Sequence, residues 1–79
     1  MRIPKLMVLA EAGAVRAVDA IPEADGWAVW VTYAYHGGER CEALERQRGG
    51  ARVFATLDAV ARTLRAAGLA EFRVRVKPS

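Results

Sequence analysis

One cysteine, one histidine and no asparagine occur among 79 residues, and the first two scarcities each exclude a class of function. A single Cys41 cannot close an internal disulfide, which fits a reducing compartment. Cys41 and His36 fall short of a zinc site, which draws several Cys or His ligands from closely spaced positions. Nucleophilic catalysis needs that pair together with a third, orienting group; strand pairing could bring Cys41 and His36 near each other, but nothing else in the sequence supports it. The missing asparagine goes with heavy use of alanine and arginine, a compositional bias rather than a functional sign. No apolar run approaches the ~20 residues of a membrane-spanning helix. Leu6 to Ala10 follows Arg2 and Lys5 but is short and closed by Glu11, which argues against a signal peptide. The expected address is cytoplasmic. The glycine pairs Gly37-Gly38 and Gly49-Gly50 match neither a phosphate-binding loop nor a dinucleotide fingerprint, so both read as turns. Glu39, Glu42 and Glu45 read as a solvated edge rather than an acid/base pair. The chain is expected not to be an enzyme and to use no cofactor, metal or small-molecule ligand.

What is present is a globular composition, 53% apolar and 27% charged, in a length that suits one domain with a small core. The clearest stretch is Arg52 to Lys77. Thr56 can cap a helix whose first turn holds Asp58. Leu57, Val60, Ala61 and Leu64 recur at helical spacing on one stripe, with Arg62 and Arg65 opposite. Gly68 can take the left-handed conformation that ends a helix, placing Leu69 against Leu64. About 11 residues of helix cannot stand alone, so this one, Thr56–Ala67, must pack on a sheet. Glu71 to Lys77 alternates strictly. Phe72, Val74 and Val76 should face the helix, and Arg73, Arg75 and Lys77 should stay in water.

Ahead of that stretch, Pro4 and the spacing of Leu6, Leu9 and Ala10 favour a short helix over 4–12, stopped by Gly13. An edge strand over Lys5 to Leu9 is the alternative. Ala14 to Ile21 reads as a strand ending at Pro22, and Pro22 to Gly26 as a turn. Trp27 to Tyr35 is the most strand-like segment. Its odd face, Trp27 to Tyr35, should enter the core, and Trp30 on the even face is either core or exposed. Gly37-Gly38 turns it into a polar strand over Glu39 to Glu45. Residues 47–51 read as a flexible link, Val53-Phe54 as a short strand and Pro78-Ser79 as a tail. The expected fold is α+β: a small, mostly antiparallel sheet of about four strands, one helix on a face, the other face partly open.

Charge is unevenly spread. Residues 1–45 carry four bases and seven acids, whereas residues 46–79 carry eight bases and two acids. A basic half suits a polyanion or an acidic protein surface. The candidate contact residues are Arg46, Arg48, Arg52, Arg73, Arg75 and Lys77, with Trp30 as a stacking or anchoring aromatic. Against direct nucleic-acid binding stands the lack of any RNP, helix-turn-helix or zinc-finger pattern. Homodimerisation is a third option for so small a core.

Several short pieces form a further pattern. They are Glu11 to Arg16, Gly26-Trp27-Ala28, Gln47-Arg48-Gly49-Gly50 with Arg52-Val53-Phe54, Leu57-Asp58-Ala59, then Leu64, Gly68 and Phe72-Arg73-Val74. Together, over about Leu6 to Val76, they resemble the small plasmid partition-associated proteins of the ParC type, distinct from the topoisomerase subunit of that name. The resemblance implies a non-enzymatic accessory role in maintaining a plasmid or mobile element, beside a partition ATPase or DNA-binding protein. It carries no catalytic residues.

Overall fold

Two tight hairpins build the sheet. In the computed structural model, which describes residues 1–77, the order is α1 (Ile3–Glu11), β1 (Val15–Glu23), β2 (Gly26–Tyr35), β3 (Gly38–Ala43), β4 (Val53–Phe54), α2 (Leu57–Ala66) and β5 (Arg73–Val74). The expected tail at 78–79 lies outside the described residues. β2 is central. It pairs antiparallel with β1 on one side and, on the other, with β3 and then β4. β5 adds to the far side of β1 in parallel. The result is a five-stranded, mostly antiparallel sheet, an α+β fold as expected.

The β2–β3 turn is His36-Gly37, one residue earlier than the glycine pair implies. Both residues have positive φ, 46° and 79°, the requirement of a type I′ turn whose twist matches the flanking strands. β1 does not stop at Pro22 but runs to Glu23, with Pro22 opposite Trp27. Proline is tolerated because β5 runs alongside β1 only at Asp19 and Ala20, so no hydrogen bond to β5 is lost at Pro22.

Both helices cover the odd face of β2. Val29, Val31 and Tyr33 are buried there with Val60 and Leu64 of α2, Leu6 of α1, and Leu44, Phe54 and Met1. Trp27 packs against this core, while Tyr35 lies exposed at the strand end. Each helix ends as its glycine predicts. The Leu69 and Ala14 amides donate to the Leu64 and Leu9 carbonyls, and those of Gly68 and Gly13 to Arg65 and Ala10, the paired bonds of a Schellman ending. The Thr56 hydroxyl accepts from the Ala59 amide at 3.1 Å. Residues 44–52 leave the sheet edge as a hydrogen-bonded loop. Within it the Arg46 amide donates to Gly50, and the Glu45–Ala51 bridge closes its base.

The last strand departs most from expectation. Only Arg73 and Val74 are β-paired, and α2 does not cover the aliphatic row: Val74, in register with Ala20 and Val29, is 44% exposed and Val76 89%. Phe72 alone reaches the core, and partly. The reason is topological. α2 lies over β2 and β4, whereas β5 joins on the other side of β1, beyond the helix's reach.

Candidate functional site

The face of the sheet turned away from the helices carries the candidate residues of the closing strand. Pairing register lays out its rows. Arg73, Asp19, Trp30 and Ala43 stand side by side across β5, β1, β2 and β3. One row along, Ile21, Ala28 and Val53 follow across β1, β2 and β4, and on the other side Ala17, Thr32 and Cys41 across β1, β2 and β3. The neighbours of Trp30 are thus mostly small or aliphatic. Trp30 itself is 37% exposed, which answers the question left open by its even position: it belongs to the open face and not to the core.

The cations at the β5 edge are not free. Asp19 is 7% exposed, the one buried acid among the described residues. The Arg73 guanidinium donates to both of its oxygens, Nε to Oδ1 at 2.8 Å and Nη2 to Oδ2 at 3.0 Å. Arg75 Nε stands 3.7 Å from the same Oδ1. A fork-on-carboxylate pair of this kind fixes geometry as well as charge. The row stays wet, as expected, but this corrects the expectation that its arginines are available: Asp19 engages both. Two of its three cations share one carboxylate, and only Lys77, exposed at the end of the described chain, makes no ion pair among the described residues.

Nor do the basic residues share one surface. Arg46, Arg48 and Arg52 lie in the 44–52 loop, on the β3/β4 side of β2, while β5 lies beyond β1 on the other. Arg46 Nε donates to the Ala51 carbonyl at 3.4 Å, and the Arg52 guanidinium sits 4.6 Å from the Phe54 ring centre. Arg48 is exposed.

Two polar clusters were not foreseen from sequence. Glu42 is no solvated edge residue. It accepts from the Tyr33 hydroxyl and from Lys5 Nζ at 3.1 Å, and Lys5 also donates to Tyr33 at 3.1 Å. The Tyr33 bond first and Lys5 second hold the Glu42 carboxyl below its ordinary range, and the Tyr33 and Glu42 bonds raise Lys5. Glu45 accepts from the Met1 amine at 2.6 Å, and that bond lowers its pKa too. The second cluster is Asp19 with its two arginines. Its only signal in the sequence is a carboxylate in the middle of the apolar strand Val18-Asp19-Ala20-Ile21.

His36 meets Tyr35 edge-to-face at the hairpin tip, and the Arg40 guanidinium lies over the Tyr35 ring. Cys41 is exposed on the open face. Among the described residues no three His, Cys, Asp or Glu side chains gather as metal ligands, and no helix is long and apolar enough to cross a membrane. No protein-family model, curated protein or solved structure matches this chain.

Proposed function

We propose that this chain is a non-enzymatic accessory domain that docks on a protein partner through its open sheet face. The supporting observation is the row of Arg73, Asp19, Trp30 and Ala43. A half-exposed tryptophan among small neighbours, with arginines held rigid beside it, is the composition of an interface hot spot. The Asp19 carboxylate offsets the charge of its arginines, which favours a protein over a polyanion on this face. The resemblance to ParC-type proteins supplies the setting, maintenance of a plasmid or mobile element, and the partner class, a partition ATPase or DNA-binding protein.

The test is a sedimentation titration against a partition ATPase, the partner class that the resemblance implies. Trp30→Ala is expected to weaken association by about 2 kcal/mol or more, and Arg75→Glu to weaken it as well. Unchanged affinity in both variants rejects the face. Direct nucleic-acid binding is the second reading, favoured by the exposed Arg46 and Arg48 in the 44–52 loop. Binding of random duplex or single-stranded DNA that falls steeply between two salt concentrations supports it. No binding at low salt removes it.

A further inference from the structure

A slot of about 440 Å³ opens beside the proposed docking face, along the outer edge of β1. One wall is four consecutive residues of β1, Val15 to Val18. The other is the run 69–73 that leads from α2 into β5. The walls meet at the β1–β5 pair and diverge from there, because residues 69–72 must come back from the end of α2 on the helical side. Consecutive residues on both sides mean that backbone, not side chains alone, forms the walls.

The hydrogen-bond account of this slot is incomplete. The inner edge of β1 is paired with β2. On its outer edge, pairing with β5 covers Asp19 and Ala20, extended by the Arg75 amide on the Ala20 carbonyl. Among the described residues no backbone hydrogen bond joins residues 15–17 to residues 69–72. The backbone groups of residues 15–17 that are not used in pairing with β2, and those of residues 70–72, thus have no backbone partner among the described residues, and such groups require partners when a surface covers them. The register of β1 also shifts between Val15 and Ala17. A bulge at this place re-aims a side chain and marks where pairing is interrupted.

A slot about 10 Å long, walled by strand edges, suits something that presents donors and acceptors alternately at strand spacing. A peptide main chain does so; a nucleic-acid backbone has no donors in its phosphates. Charge then selects among peptides. Arg16 is exposed and makes no ion pair among the described residues, and Arg73 keeps Nη1 clear of its bonds to Asp19. Glu71 is the one acid in the lining. The partly buried Val15, Leu69 and Phe72 offer apolar contact.

We infer that this slot receives an extended acidic peptide from a protein partner, its main chain pairing with β1 around Arg16 and its carboxylates meeting Arg16 and Arg73. Strand addition of this type draws affinity from the main chain and selectivity from alternate side chains. The inference rests on the docking reading only in that a partner protein supplies the peptide.

The test uses the full chain, isotope-labelled, with acetyl-Val-Asp-Val-Asp-Val-amide as probe. Saturable amide shifts are expected at residues 16–18 and 71, with hydrogen exchange at Arg16 slowed about tenfold at about 1 mM peptide. The same peptide with lysine for aspartate should bind about tenfold more weakly, and Arg16→Glu should reverse that order. Methylation of the peptide nitrogens should abolish binding. No shift, equal binding of the methylated peptide, or displacement by duplex DNA overturns the inference. Shifts confined to Trp30 and its neighbours overturn it while leaving the docking face intact.

Discussion

Gly26 is the position where a single atom decides most. A β-carbon built there meets the Phe54 carbonyl oxygen at 2.1 Å. That oxygen belongs to β4, which is held against β2 by the Trp27–Phe54 pair, so neither partner can move without breaking the sheet edge. Gly26→Ala is expected to cost about 3 kcal/mol or more, the upper range of overpacking. Gly37→Ala is the contrast. It also has positive φ, but nothing lies within 4 Å of the added carbon, so only the backbone conformation is penalised, by about 1–2 kcal/mol. Urea unfolding of the two variants separates steric from conformational cost, and equal losses refute the account. Asp19 makes a second case. Asp19→Asn removes the charge that two arginines share. A loss of about 1–2 kcal/mol in the same assay is expected, since Arg73 and Arg75 are well exposed and recover water.

The helices were legible because their signals are local. Thr56, Gly68 and the Leu57–Leu64 spacing lie within the element they define, and so do Pro4 and Gly13. β5 was legible as alternation, but alternation does not say which neighbour a strand will take. That depends on the parallel pairing across β1, set by residues more than fifty positions away. The docking of α1 was equally hidden, because its polar contact joins Lys5 to Tyr33 on β2 and Glu42 on β3. It has a pH signature. Glu42 titrates lower in the folded chain than its ordinary 4.5, so its contribution is complete above that value and disappears as pH falls through the depressed one. Lys5, raised from 10.5, contributes fully below that value and fails only as pH rises through its elevated one. Between about pH 6 and pH 3 the thermal midpoint should fall less steeply in Glu42→Gln than in the natural chain. Parallel curves would show that the cluster does not hold α1.

Across the entire chain, the sequence places eight bases in its last 34 residues, and the fold separates six of them. Arg46, Arg48 and Arg52 go to the β3/β4 side and Arg73, Arg75 and Lys77 to the β5 side, because β4 and β5 flank the β1–β2 hairpin from opposite edges. Linear proximity of charge therefore overstated the basic surface, while the residue whose position was undecided, Trp30, emerged as the centre of the open face. On the docking reading proposed above, this arrangement would separate stability from recognition, and that separation can be measured. Leu64 is buried in the core under α2, and Leu64→Ala should leave a cavity costing about 2–5 kcal/mol. Trp30 lies on the side that no helix covers and is 37% exposed. Trp30→Ala opens no enclosed cavity, so it should cost about 1 kcal/mol, the ordinary value for a point mutation. Its effect on partner binding should be the larger of the two, whereas Leu64→Ala should bind normally under conditions where it is still folded. Denaturant midpoints and partner affinities of the two variants, measured side by side, give the comparison. If Trp30→Ala unfolds as readily as Leu64→Ala, the tryptophan belongs to the core, and the open face loses its anchor.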